Sequence, residues 1–301
     1  MLQTEWTWAT PWWWTLVVIN IINVIICLII FVKSAKAKDI LNEKYLKHMR
    51  IFGLLYCIVA LYRSIFVSRY LTQLAWFDTI FNSSLLIRGL AIIAELSFAA
   101  LIANSLLKLN KDIPGIKNNT DNSFLSFLKL KTPYMFFILL FLAQFFATSG
   151  LITKIRLLFA IEETLWGLAF LLIIPLVLIQ LRRVSSIKDQ ILKKQFRRAK
   201  AFTIVLIIFS VGYVIYSLGY HLPIEYWPAA ITQLQMETPV PAFKFGIEAI
   251  YEALTIVNVS RNLSDWGGIG FVIWHTGYFS ICVWMVLLFM SGPRKLELKK
   301  V

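Results

Sequence analysis

Along the chain, apolar runs about as long as a bilayer is thick alternate with polar connectors. A hydrocarbon core of about 30 Å takes about 20 helical residues to cross, and a helix satisfies its own backbone hydrogen bonds in lipid. On that measure, residues 12–32, 51–67, 85–107, 134–153, 159–181, 201–220 and 269–290 predict seven spans. The expected fold is therefore all-α: a polytopic membrane protein forming one seven-transmembrane-helix bundle over residues 1–301. The second span is the least regular, being short and carrying Arg63.

Two connectors have patterns of their own. Residues 124–131, FLSFLKLK, mix phenylalanine and leucine with lysine, as expected of a segment lying on the inner membrane surface. The long linker 221–268 is punctuated by Pro223, Pro228, Pro239 and Pro241, then places Ile247, Ile250, Tyr251, Leu254 and Val257 at helical spacing. That spacing predicts an amphipathic helix folded over the outer mouth of the bundle.

Composition supports lipid as the solvent, since 59% of residues are hydrophobic and 15% charged, against about 25% charged in a soluble domain. The formal net charge of +14 is not read as a nucleic-acid surface, because the bases lie in loops beside apolar spans, where they orient helices and meet anionic headgroups. Loops 33–50, 108–133 and 182–200 and the tail from Ser291 hold 23 lysines and arginines, whereas the alternate connectors hold 5. That asymmetry predicts an outside N-terminus and a cytoplasmic C-terminus, in a plasma or inner membrane. Tryptophans at 6, 8, 12, 13 and 14 fit an outer interfacial belt. The N-terminal tail has no lysine or arginine, the wrong flank for a cleavable signal, so the first span is expected to stay in the mature protein. Cys27, Cys57 and Cys282 all fall within apolar runs, with no CxxC or Cys/His spacing, so neither a disulfide framework nor a thiolate metal site is indicated.

Candidate chemistry lies where ionisable residues enter the spans. Arg63, Arg88, Glu95, Glu162, Glu163 and His275 each cost several kcal/mol in hydrocarbon unless they face a partner or water. In the expected topology Arg88 sits about 5 Å below the outer end of span three, Glu95 about 15 Å below it and His275 about 9 Å into span seven. His221 closes span six, and Asp78 and Ser84 belong to the polar approach to span three. The expected ligand-binding set is Arg63, Asp78, Ser84, Arg88, Glu95, Glu162, Glu163, His221 and His275, gathered around an outer-facing cavity lined by spans two, three, five and seven. Arg88 and Glu95, two turns or about 10.5 Å apart along one face, are expected to need partners from other helices. Glu162 or Glu163 would serve Arg88 or Arg63, and His275 or Arg63 would serve Glu95.

Several functional classes lose support. No span contains an internal lysine, so a retinal Schiff base has no anchor. Span three closes NSLLKLNK rather than on an acid-arginine pair, and span seven reads WHTGYFSICVW with no NPxxY, so coupling to a G protein is unsupported. Two histidines near the membrane are too few to indicate a bis-histidine haem, and GGIG at 267–270 lacks the GK[ST] of a phosphate-binding loop. No cofactor is implied. The leading expectation is a protein that binds or transports a small polar solute or ion, with Arg63 and Arg88 as anion contacts and Glu95 as a gating acid. Two others stand beside it: a sensor or structural subunit whose basic loops dock a cytoplasmic protein, and an intramembrane metal-dependent hydrolase using His275 with Glu162 and Glu163. Membrane lipid is a partner in every case.

The topology is directly testable. With Cys27, Cys57 and Cys282 replaced by alanine, Thr238→Cys should react with a membrane-impermeant maleimide on intact cells and Ser186→Cys should not. The opposite pattern would invert the orientation.

Overall fold

A computed structural model describes residues 9–36, 42–69, 72–113 and 123–296, with 123–127 described by backbone alone. The chain is about 81% helical, and among the described residues seven helices are long and apolar enough to cross a membrane. They are α1 (Ala9–Lys36), α2 (Glu43–Ile65), α3 (Ser84–Asp112), α4 (Ser123–Thr153), α5 (Arg156–Ser185), a composite of α7 (Arg197–Tyr216), a π-helical stretch (Ser217–Tyr226) and α8 (Trp227–Gln235), and a second composite of α10 (Ile269–Gly277), a π-helical stretch (Tyr278–Cys282) and α11 (Val283–Met290). The short α6 (Gln190–Gln195) precedes α7, and α9 (Gly246–Thr255) lies in the long linker. Seven apolar helices make this an integral membrane protein.

Consecutive spans are neighbours from α1 to α5, α5 meets α7, and α11 packs among α1, α2, α3 and α7. The third span is the most buried of the seven, at 61% of its apolar window. Its buried Ala91, Ala94, Ala99, Ala100 and Ala103 let neighbouring backbones approach, which is how helices gain contact in lipid without a hydrophobic driving force between them. The outward rows of α1, including Val18, Ile22, Ile25 and Ile29, are exposed and apolar, as a lipid-facing surface requires.

Several elements depart from expectation. The segment 124–131 is not a separate surface helix but the start of α4, which runs through Pro133. Proline removes the hydrogen bond to the carbonyl four residues back. That carbonyl, Lys129 O, instead accepts from Asn110 Nδ2 at 2.6 Å, so the helix continues without an orphaned acceptor. The sixth span does not stop near Tyr220 but continues to Gln235, taking in residues assigned to the linker. The amphipathic helix exists as α9, yet its buried face is Ala249 and Ala253, while Ile247 and Tyr251 are 78% and 68% exposed. The two alanines allow close approach to α3 and α4. A three-stranded sheet was not anticipated: β1 (Ser68–Arg69) pairs antiparallel with β2 (Leu74–Ala75), which pairs parallel with β3 (Asn258–Val259). Two-residue strands are too short to leave a periodic signal.

At this end of the bundle, where α1 begins, Ala9, Val67, Trp76 and Trp266 form a second small core with Trp12, Trp13 and Phe271 against it. Trp12 donates from Nε1 to Thr276 Oγ1 at 3.0 Å and Trp13 from Nε1 to the Ile65 carbonyl at 3.0 Å. These two tryptophans are part of the plug, Trp14 is 54% exposed, and Trp6 and Trp8 lie outside the described residues.

Gly167 on α5 marks a close approach: a Cβ there would stand 2.4 Å from Leu218 Cδ2 in the first π-helical stretch. Gly167→Val should destabilise the purified protein by about 1–3 kcal/mol, read as a lowered melting temperature in detergent, and an unchanged temperature would show the contact to be absent.

Candidate functional site

Burying a guanidinium in lipid-surrounded protein requires compensating charge on adjacent helices. Arg88 on α3 is 0% exposed. Its Nη2 lies 3.6 Å from Glu95 Oε2 and its Nη1 lies 3.8 Å from Glu162 Oε1 on α5, while Nη2 also donates to the side-chain carbonyl of Gln144 on α4. Glu95 in turn accepts from Tyr278 Oη at 3.4 Å, and Arg63 Nη1 on α2 donates to that same oxygen at 3.4 Å. The Arg63 guanidinium also lies 5.2 Å from the ring centroids of Tyr278 and Phe279, a cation–π arrangement. Two guanidinium groups and two carboxylates thus alternate along one chain of contacts that joins α2, α3, α4, α5 and the second composite span.

The expectation that Arg88 and Glu95 need separate helices is corrected by this geometry. Two turns separate their Cα atoms by about 10.5 Å, yet two long side chains extended toward each other along the axis close that gap. The expected Arg88–Glu162 pairing is present, whereas Glu95 meets Tyr278 rather than His275 or Arg63 directly. Tyr278 begins the second π-helical stretch. Widened turns of this kind recur where a helix must re-aim a side chain at a functional position.

Glu163 belongs to a different group. Its Oε1 accepts from Tyr213 Oη at 3.0 Å and lies 3.8 Å from His221 Nδ1, while His221 Nε2 lies 3.2 Å from Glu225 Oε2. His221 and Glu225, four residues apart, both fall in the first π-helical stretch. Tyr216 and Tyr226 flank the imidazole at ring-centroid distances of 4.8 and 4.6 Å. His275 makes no hydrogen bond to either group and lies among the rings of Trp12, Phe271, Trp274 and Phe279, the last of which also faces Arg63. Neither of its ring nitrogens has a hydrogen-bond partner among the described residues. Ser84 is buried at the first turn of α3, and Asp78 is exposed. Among the described residues no three histidine, cysteine, aspartate or glutamate side chains group as metal ligands, so the donor set of the hydrolase reading is not assembled.

A cavity of about 560 Å³ opens at the end of the bundle where α1 begins, beside the α4–α5 turn. Its walls come from Arg69, from Lys154, Arg156 and Phe159 at the α4–α5 junction, from His221, Glu225, Tyr226 and Ala229, and from Val240, Pro241, Lys244 and Glu252. Of the nine expected site residues, only His221 lines it, and the wall is built from spans four, five and six with the linker rather than from spans two, three and seven.

One amide sets this architecture. Gln233 on α8 is 1% exposed, donates from Nε2 to the carbonyls of Lys154 at 2.9 Å and Pro241 at 3.0 Å, and accepts from Arg156 N at 2.8 Å through Oε1. The Lys244 N–H donates to Thr153 O at 2.9 Å and the Lys244 ammonium pairs with Glu252 at 3.0 Å, closing the linker over the α4–α5 turn. Lys154 holds a left-handed backbone at φ 62 and is 8% exposed. Burial lowers its amine below the ordinary lysine range, Glu252 opposes that shift and Lys244 adds to it.

Sequence reasoning missed Gln144, Gln233 and Lys154. Gln144 was legible as a lone amide in an apolar run, where polar side chains bond across helices. Gln233 fell in what read as a linker, and Lys154 was counted only as a loop base. Compared with protein-family models, with curated proteins and with solved structures, the chain matches none.

Removing Arg88 alone leaves two buried carboxylates without their counter-charge. Arg88→Met should therefore destabilise the protein by about 3–5 kcal/mol, and the triple variant R88M/E95Q/E162Q should recover most of that loss. Thermal unfolding in detergent checks both, and a triple variant no more stable than R88M would refute the charge-balance account.

Proposed function

We propose that this integral membrane protein binds a small polar solute in the cavity at the α1-starting end of the bundle, and the loop-charge asymmetry supports that end as the outer face. The observation that carries the reading is the cavity itself, about 560 Å³ with four cationic and two acidic side chains in its wall and an imidazole between them. That volume suits a small ligand, and charged groups converging in one concave site supply orientation and selectivity. The buried network has a separate role in this reading. Glu162, which pairs with Arg88, and Glu163, which leads through His221 to the cavity wall, are consecutive residues of α5. A solute that displaces His221 from Glu163 would thereby act on the helix that holds Arg88, Glu95 and Arg63 in register, which is how these residues enter the function.

The structural-subunit reading is favoured by one fact: Arg63, Arg88, Glu95 and Glu162 contact one another, directly or through Tyr278, and take no part in the cavity wall. The two readings separate on binding. A screen of neutral and charged polar solutes should find at least one that raises the melting temperature of the detergent-purified protein by several degrees. Ala229→Trp, which fills the cavity from α8, should abolish that response. If no solute shifts the native protein, or if the shift survives A229W, the cavity reading fails and the scaffold reading stands.

A further inference from the structure

Within that cavity, and resting on the reading that it takes a polar solute, the α4–α5 turn gathers positive potential, and Glu252, whose charge acts on Lys154, is already paired with Lys244. Helix α5 runs 30 residues and opens with no acid in its first turn, and its cap residue, Ile155, has no side chain that accepts a hydrogen bond. A helix N-terminus carries partial positive charge, which an anion or an acidic side chain ordinarily offsets. Here the first helical residue is Arg156 and the residue before the cap is Lys154. Cations in these two positions raise the local potential rather than lowering it.

The lysine is the decisive feature. Lys154 is 8% exposed, its Nζ is shielded from solvent, and no hydrogen-bond partner reaches that nitrogen among the described residues. The acids of the cavity wall are engaged elsewhere, Glu252 by Lys244 at 3.0 Å and Glu225 by His221 at 3.2 Å. Lys154 also adopts a left-handed backbone, which a β-carbon disfavours and which persists only when surrounding bonds enforce it. Those bonds are present, since Gln233 ties the carbonyl of Lys154 and the N–H of Arg156 to one amide. A lysine buried with its Nζ unpartnered, beside a helix start that carries no acid in its first turn, is arranged for a negative ligand that supplies what the chain does not.

We infer that Lys154, with Arg156 and the N-terminus of α5, forms an oxyanion site for the phosphate or carboxylate group of the solute. Both groups place two or more acceptor oxygens on one centre, enough to accept from the ammonium and the guanidinium together. Lys244 and Arg69 stand in the same wall and add to the field, and Glu225 and Glu252 set its acidic margin. A phosphate has two sources, a soluble phosphorylated compound or a phospholipid headgroup, and the chemistry at Lys154 is shared by both.

The test uses the full chain in neutral detergent. Inorganic phosphate and succinate are titrated while the melting temperature is followed. Either anion should raise the melting temperature, and Lys154→Asn should weaken its apparent affinity at least tenfold. Asparagine tolerates the left-handed backbone, so a K154N chain that keeps its ligand-free melting temperature isolates the lost charge from any folding defect. Phosphatidylglycerol added to the micelles, with phosphatidylcholine as control, distinguishes the sources. A K154N-sensitive response to phosphatidylglycerol alone assigns the oxyanion to a headgroup. Equal anion affinity in native and K154N protein, or no response to phosphate, succinate or phosphatidylglycerol, overturns the site. A neutral solute whose binding is lost in A229W but kept in K154N would leave the cavity reading intact while removing this one.

Discussion

The fold depends on the neutralisation of Arg88. A guanidinium at 0% exposure in the first turns of a membrane-spanning helix cannot be left to solvent, so its counter-charges must be brought to it. Glu95 from its own helix and Glu162 from α5 supply the charge, and Gln144 from α4 supplies a carbonyl. Tyr278 and Arg63 extend the contacts to α2 and the seventh span. Helices in lipid gain little from burying apolar surface against one another, so a network with one satisfactory arrangement does much to select their register.

The closed network and the open cavity occupy different parts of the molecule, and their separation divides the work. Charges that satisfy one another hold helices, whereas charges around an accessible volume are available to a ligand. The cavity is built where helix ends meet connectors: the α4–α5 turn, the π-helical stretch and α8 of the sixth span, and the linker stretch around Pro241 and Lys244. Gln233 makes these pieces one wall, because its single amide meets two backbone groups of the α4–α5 turn and one of the linker. The aromatic plug of Trp12, Trp76, Trp266 and Phe271 and the small sheet lie at the same end of the molecule, where the long linker meets the helix ends.

How much could be read beforehand follows from the range of each signal. Span seven was read at its observed bounds because apolar residues fill it and Gly268 stands before it at φ 71, a conformation suited to glycine. Span four was read short because Lys129 and Lys131 resemble a boundary, yet Asn110 takes up the carbonyl that Pro133 frees and the helix extends past them. Arg88 and Glu162 could be paired from the sequence, since both lie near the same ends of their spans. The contact between Arg88 and Glu95 could not, because spacing along an axis omits the reach of two long side chains.

What the amino-acid order determined by itself was the number of crossings and the set of ionisable residues that had to face inward, since both follow from the energy of placing each group in hydrocarbon. Which of those residues met one another, and which met an open volume, was decided only when the helices packed. Arg88, Glu95 and Glu162 became one largely buried cluster, His275 was enclosed by rings, and Lys154, one loop base among several in the sequence, became a buried amine beside a cavity. Partition energy is a property of a single side chain and can be read in order along the chain. Pairing and cavity formation are properties of distances between segments far apart in that order.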